Sequence, residues 1–234
     1  MYKRVIIKMS GEALKGNTEF GIDPKTVLKY AKEIKEVHDL GVEVGIVIGG
    51  GNIWRGKTAE EMGMDRAQAD YMGMLATIMN GLAFQDALEK LDVPTRVESA
   101  LEVNQVCERY IRRKADKHLS NGVVAIFVGG TGSPFFSTDT AAALRAAELD
   151  CEVILMAKHG VDGIYDKDPR KHKNAIMYNE LTHKFVLDNG LEIIDSTAAS
   201  MCHENKIDLI VFNMEQEGNI KRAILGEKIG TIVK

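Results

Sequence analysis

The stretch VAIFVGGTGSPFFSTDTAAA at 124–143 limits what this chain can fold into more than any other. Residues 124–128 are a short continuous apolar run, as expected of a parallel strand covered on both faces. Thr138, Asp139 and Thr140 then supply capping chemistry ahead of three alanines, so a helix is expected to begin near Thr138. Strand-to-helix connections usually run about two to six residues. Residues 129–137 exceed that, and Gly129, Gly130 and Gly132 let backbone amides approach an anion at the positive end of the following helix. Pro134, Phe135 and Phe136 stiffen the loop. A strand, a glycine loop and a helix start in this order point to a phosphate-binding turn in an α/β protein.

The rest of the chain repeats the pattern. Residues 3–9 read as a first strand that delivers Lys8 to its carboxyl end, followed by Ser10 and Gly11. Asp23 and Pro24 are an N-cap and an N1 proline, and Val27, Ala31, Ile34 and Val37 follow at helical spacing up to Leu40, with Gly41 beyond the end. Residues 42–48 form a second strand that runs into a second glycine loop at 49–56. A long helix is expected over 68–91, with Met72, Leu75, Met79 and Leu82 recurring at i+3 and i+4. Those methionines read more naturally as core than as a binding groove. Further strands are expected at 95–97, 123–128, 152–157, 208–212 and 231–233, and further helices at 103–117, 138–149, 196–205 and 219–225. Lys158 opens another polar glycine loop at a strand end. The basic run Arg109, Arg112, Arg113, Lys114 and Lys117 reads as a solvated helix face.

Such alternation predicts a three-layer αβα sandwich with a central, mainly parallel sheet, in one domain over 1–234. The turns at Lys8, Gly49, Gly129 and Lys158 would then meet at the carboxyl edge, where open α/β sheets bind ligands. Two nucleotides would suit so many anion-friendly turns.

Composition removes several alternatives. Lys and Arg total 30 against 34 Asp and Glu, a formal net charge of −4, so there is no basic footprint for nucleic acid. Cys107, Cys151 and Cys202 form no CxxC pair and the six histidines show no zinc spacing, so a reduced, intracellular chain without a structural metal is expected. No apolar run approaches the roughly 18 residues of a membrane span, and none resembles a secretion signal.

One short motif points elsewhere. GNIWRGKT at 51–58 matches the P-loop pattern GxxxxGK[ST] and follows a predicted strand. Trp54 and Arg55 are bulky where a P-loop must curl around phosphate, residues 58–63 open a helix poorly, and no later strand ends in the acidic residue that a P-loop enzyme sets beside magnesium.

The motifs together are identified with a known family. KMSGEAL at 8–14, GGGNIWRG at 49–56, ADYMGMLATIMN at 69–80, GGTG at 129–132 with STD at 137–139, VDGIY at 161–165 with DP at 168–169, and EGNIKRAI at 217–224 closely resemble the bacterial uridylate (UMP) kinases, in register over nearly the whole chain. The resemblance implies the amino-acid kinase fold and magnesium-dependent transfer of the ATP γ-phosphoryl group to UMP, in a cytoplasmic homohexamer activated by GTP and inhibited by UTP. It places Lys8, Met9, Ser10, Gly11, Gly51 and Arg55 around the ATP phosphates, and His159, Tyr165 and Asp168 at the adenosine end. It gives Gly50, Asp70 and the loop Thr131, Gly132, Ser133, Pro134, Phe135, Phe136, Ser137 and Thr138 to UMP. The family often carries Asn where this chain has Ser133. Lys8, Arg55 and Asp139 are the expected catalytic groups, with Asp139 orienting Lys8 or a magnesium-bound water, and no residue is expected to hold a metal by itself. A nucleotide sensor that keeps the fold without catalysis would be expected to lack Lys8 or Asp139, and both are present.

The P-loop and amino-acid kinase readings place the essential cation on different lysines. Losing one preorganised charge contact commonly costs about 10²- to 10³-fold in kcat, and that loss is expected for Lys8→Ala with the fold intact. Lys57→Ala should change kcat by less than about tenfold. Steady-state kinetics for both substrates, with circular dichroism on each variant, separate the readings. Collapse of Lys57→Ala beside a near-normal Lys8→Ala would hand the phosphates to the P-loop.

Overall fold

Strand β1 (Arg4–Met9) sits mid-sheet, and its alternate side chains face opposite layers. Val5, Ile7 and Met9 enter one core and Ile6 the other, so Lys8 shares the Ile6 face. The computed structural model describes residues 1–158, 160–169, 171–191 and 194–234, and of Lys57, Thr58 and Glu60 the backbone alone. After β1 come a 3-10 turn (Gly11–Lys15), α1 (Pro24–His38), β2 (Glu43–Ile48), α2 (Gly56–Glu61), α3 (Arg66–Glu89), β3 (Thr95–Ser99), β4 (Glu108–Arg109), α4 (Arg112–Ser120) and β5 (Val124–Val128). There follow α5 (Thr138–Glu148), β6 (Val153–Lys158), β7 (Ile164–Tyr165), β8 (Met177–Tyr178), β9 (Glu180–Leu181), α6 (His183–Asp188), α7 (Ser196–Asn205), β10 (Asp208–Asn213), α8 (Asn219–Ile224) and β11 (Thr231–Val233).

Nine strands form one sheet in the order β4-β3-β5-β2-β1-β6-β10-β11-β9. Every pairing is parallel except that of β10 with β11. Helices α1, α3 and α8 pack on one face through Ile34, Phe84 and Ile220, and α4, α5, α6 and α7 on the other through Leu119, Ala142, Val186 and Cys202. The expected mainly parallel, three-layer arrangement is therefore what forms. The chain leaves β1 toward β2 on one side and later returns to β6 on the other, so the topological switch lies at β1, where Lys8 stands. The four turns singled out from sequence follow β1, β2, β5 and β6, and these are adjacent strands.

Several local expectations are corrected. The helix expected over 103–117 is a turn, then β4 and α4: Glu108 and Arg109 pair with Glu98 and Ser99 of β3, and Tyr110 stacks edge-on against Phe127 at 5.6 Å. Pairing at the sheet edge overrides the helical pattern. Residues 58–63, expected to open a helix poorly, overlap a short one, α2, which is anchored by buried Ala59. The capping residue of α5 is Ser137, one position before the expected start; its hydroxyl accepts from the amides of Asp139 and Thr140 at 3.0 and 3.2 Å. The stripe on α3 is turned outward: Met72, Leu75 and Met79 are exposed, while Met74, Thr77, Ile78, Asn80, Gly81 and Phe84 face inward. That helix is apolar nearly all round, so spacing alone did not select its inner face. Gly81 did, because a Cβ there would sit 2.5 Å from Val128.

On α1, Glu33 is buried, and its carboxylate has only the Gly218 backbone and the Lys29 ammonium to favour its charge. Burial pushes its pKa up to about 7, against the pull of the Lys29 ammonium. The folded chain therefore keeps this proton to higher pH than the unfolded chain does, and ionisation favours unfolding as pH rises from the ordinary carboxyl value toward 7. Glu33→Gln should raise Tm by a few degrees over the parent at pH 8 and match it at pH 4. Thermal melts at the two pH values check this; an equal shift at both would assign the effect to packing.

Candidate active site

Because Lys8 lies on the Ile6 face of β1, its side chain runs under the start of α5. Its ammonium meets Asp139 at 2.6 Å, and both side chains are largely buried. Ala141, Ala142, Ala143 and Ala146 give α5 a thin inner surface, which lets the helix lie close to the sheet. Lys158, the last residue of β6, stands in the same electrostatic group. Its pKa is lowered, chiefly by burial and further by Lys8, while Asp139 pulls it up. The sequence places the turn at Lys158 among the four at the carboxyl edge but assigns the lysine itself no contact. The available signal was a lysine ending an otherwise apolar strand, the same signal that picked out Lys8.

Next to β1, the turn at 9–11 and the loop after β2 are in backbone contact. Gly49 donates to the Met9 carbonyl at 3.0 Å, and a Cβ on Gly11 would lie 2.4 Å from the Gly49 carbonyl oxygen, so glycine is required at Gly11. Met9 directs its side chain into the core and offers the site backbone alone. The amides of Ile53 and Trp54 both close onto the Gly50 carbonyl at 3.0 Å, so these amides are engaged within the turn and are not aimed at a phosphate as in a P-loop. Arg55 reaches Glu12 at 2.7 Å and the Gly51 carbonyl at 3.3 Å. Glu12 lies within the motif at 8–14 and was not singled out from sequence.

Helix α3 holds these loops with polar groups on its buried face. Asn80 donates to the Gly49 carbonyl at 2.7 Å and exchanges hydrogen bonds with Asn52, which donates to the Gly21 carbonyl at 2.8 Å. Thr77 accepts the Gly129 amide at 2.8 Å, which ties the loop after β5 to the same helix. Both residues sit inside a quoted motif, yet nothing in spacing marks them as inward.

A cavity of about 150 Å³ opens between these loops, with Gly50, Trp54, Asp70, Gly130, Phe136 and Thr138 among its lining. Asp70 accepts from the Phe135 amide at 2.8 Å and from Arg66 at 3.0 Å, and Arg66 lies over the Phe135 ring at 5.7 Å. Phe135 has φ +70°, a strained conformation for an aromatic residue, held by the Asp70 bond. Of the loop expected to take UMP, Phe136 and Thr138 line this cavity; Thr131, Gly132, Ser133, Pro134, Phe135 and Ser137 do not. Thr131 and Ser133 bond each other across a local turn. Ser137 caps α5 and donates to Asp195.

A second cavity, about 450 Å³, is lined by Lys158, Gly163, Tyr165, Asp168, Leu191 and Val211 among others. Lys158, Gly190 and Leu191 also line a neighbouring cavity of about 490 Å³ that reaches Asp139 and Asp195. The two cavities share Lys158, Gly190 and Leu191, so the one with Tyr165 and Asp168 is next to the one that Asp139 lines. His159 lies outside the described residues. Asp195 caps α7 through the Ala198 amide at 3.0 Å and accepts from Thr140 at 2.9 Å as well as from Ser137, so it locks the starts of α5 and α7 together. Burial alone would raise its pKa, but these hydrogen bonds outweigh it and the carboxyl stays below its ordinary value. An Asp directly ahead of a helix start was the signal for this residue, and it went unread.

Among the described residues no group of three His, Cys, Asp or Glu side chains could hold a metal ion. The chemistry is that of anion handling: lysines at strand ends, glycine loops, a helix start, and a buried ion pair whose Asp139 lines one cavity and follows Thr138, which lines another.

Comparison with known proteins agrees with this geometry. The model of the amino acid kinase family matches residues 3–213. A uridylate kinase of Pediococcus pentosaceus is 57% identical over 233 residues, covering 100% of this chain and 97% of that protein. Among solved structures, UMP kinase from Bacillus anthracis superposes with a TM-score of 0.97 at 42% identity, covering 100% of this chain and 96% of that one. UMP kinase from Ureaplasma parvum gives 0.95 at 42% identity, with 100% and 99% covered. A mainly parallel sheet switching at β1, glycine and polar turns after four adjacent strands and full-length similarity of this order place the chain in the amino acid kinase family, among the uridylate kinases.

Proposed function

We propose that this chain, as a single domain over 1–234, transfers the γ-phosphoryl group of ATP to UMP, giving UDP and ADP in de novo pyrimidine nucleotide synthesis. The observation that carries the reading is the Lys8–Asp139 pair, 2.6 Å apart: Asp139 lines a cavity that shares Lys158 with the one containing Tyr165 and Asp168, and it follows Thr138, which lines the one containing Gly50 and Asp70. Phosphoryl transfer needs positioning and charge neutralisation more than covalent chemistry. Lys8 and Lys158 neutralise the donor phosphates, with Asp139 fixing Lys8. Ser10, Gly11 and Gly51 supply backbone at the phosphates, Tyr165 and Asp168 hold the adenosine end, and Gly50, Asp70, Phe136 and Thr138 hold UMP. Arg55, tied to Glu12 in the free chain, exchanges that carboxylate for phosphate oxygens when nucleotide enters.

Asp139, paired with Lys8, would orient a magnesium-bound water, and the ion would be held mainly by phosphate oxygens and water. Bound with ATP, the ion supplies charge neutralisation on the transferring group.

Assembly as a homohexamer in the cytoplasm, with GTP activating and UTP inhibiting, belongs to the same proposal. The exposed apolar stripe of Tyr71, Met72, Leu75 and Met79 on α3 supports self-association. No helix among the described residues is long and apolar enough to cross a membrane, and the net charge of −4 does not favour nucleic acid.

An acceptor panel of UMP, CMP, dUMP, carbamate and acetylglutamate with ATP and magnesium tests the activity: UMP should be strongly preferred. Equal turnover of CMP, or none of UMP, would overturn it. Light scattering at micromolar concentration should give a hexamer that Met79→Asp dissociates toward smaller species, whereas a monomeric parent would remove the assembly claim.

A further inference from the structure

One wall of the cavity holding Tyr165 and Asp168 is β7 and the turn after it, and β7 pairs with β8 in a ribbon of two residues per strand outside the main sheet. A ribbon so short has no stability of its own and takes its position from whatever it is fastened to. One fastening is a single hydroxyl. Thr231, the first residue of β11, is fully buried; its Oγ1 accepts the Ile164 amide at 2.9 Å and donates to the Tyr178 carbonyl, so it bonds both strands of the ribbon at once. Thr231 itself is held in the sheet opposite Val211 of β10, and Val211 lines the same cavity from below.

The approach is close enough to dictate its neighbours. A Cβ on Gly163 would lie 2.7 Å from the Thr231 hydroxyl and 2.8 Å from the Met177 sulfur. Gly230, with φ +63°, would bring a Cβ to 2.0 Å from the Val211 carbonyl oxygen and 2.8 Å from that of Asp162. Two glycines and one hydroxyl thus set how far the ribbon stands above β10. Methyl in place of that hydroxyl would leave a buried amide and a buried carbonyl without partners, and the ribbon would lift to find water.

We propose that Thr231 is a positioning residue of the nucleotide-donor site: through the Ile164 amide it fixes the height of Tyr165 and Asp168 over Val211, and so the width of the slot that takes the donor's base and ribose. The inference rests on the reading of this cavity as the ATP site. Thr231→Val is isosteric and removes the hydroxyl alone. It should raise KM for ATP about tenfold and leave KM for UMP and kcat at saturating ATP within about twofold, and Thr231→Ser should restore the parent values. A merely structural role would lower Tm with no change in either KM, or raise both together, and either result overturns the proposal. Tyr165→Ala separates the two layers of the argument. If it raises KM for ATP while Thr231→Val does not, the hydroxyl pin fails and the cavity reading stands; if it leaves KM for ATP unchanged, the cavity reading fails and the pin falls with it. Should Thr231→Val not fold, hydrogen exchange on the parent chain decides: the Ile164 amide should be protected without nucleotide and further protected by ADP, and exchange at the rate of an open loop overturns the proposal.

Discussion

The structure depends on a buried ammonium and carboxylate held together at the middle of the sheet. Either charge alone, so far from water, would cost several kcal/mol, and even paired the two give little net stability. Their presence fixes geometry. The end of β1 and the start of α5 must come to one point, which requires a helix with a thin inner surface, supplied by Ala141, Ala142, Ala143 and Ala146. It also requires that the helix start not drift, and Asp195 holds it by accepting from Ser137 and Thr140 while capping α7. Lys158 adds a second buried cation whose pKa is lowered by burial and by Lys8. An entering phosphate relieves that repulsion, so the charges are arranged for a ligand more than for the free chain.

Helix α3 answers to two different demands on its two sides. Inward it is polar and small where it meets the loops: Thr77 takes the Gly129 amide, Asn80 the Gly49 carbonyl, and Gly50 leaves no space for a side chain against Gly73 and Ala76. Outward it carries Met72, Leu75 and Met79. A buried amide pair such as Asn52 and Asn80 is costly unless every donor is used, and here the donors reach each other and two loop carbonyls. The glycine loops are therefore held by directional bonds to a helix, which preorganises them before any ligand arrives.

This division explains what could be read from the sequence and what could not. Parallel strands buried on both faces are continuous apolar runs ended by glycine, and they appear as such at 124–128 and 42–48; the core strands and the helices α1, α5, α7 and α8 were found within a few residues. The inner face of α3 was misread because hydrophobic spacing assumes that the apolar side goes inward, and on this helix Thr77, Asn80 and Gly81 go inward. Helix α4 was overextended because β4 is two residues long and exists through pairing with β3, a contact that no local pattern encodes. For the site, Lys8 near the end of β1 and the glycine loops after β2 and β5 could be picked out from strand and loop pattern, whereas Gly50, Asp70 and Tyr165 were named through the family resemblance. Residues that act through another residue were found by neither route. Asp195 works by gripping Ser137 and Thr140, Glu12 by holding Arg55, and each partner is distant in sequence.

Sheet order also sets the direction of the proposed reaction. Lys158 and Val211, from β6 and β10, belong to the cavity on one side of β1, while Gly50 and Gly130, from the turns after β2 and β5, belong to the cavity on the other. A group passed between ligands in these cavities must cross the end of β1, where Lys8 stands on the boundary. In-line transfer asks that donor and acceptor oxygens lie on opposite sides of the moving phosphoryl group, with positive charge at its equator. On the proposed reading that axis would run along the carboxyl edge of the sheet. From β2 to β6 is two strand spacings, on the order of 10 Å, and on the proposed reading the donor's phosphate chain would have to cover a span of that order. Topology would thus set the reach of the proposed triphosphate, with the Lys8–Asp139 pair at the switch between the two sides.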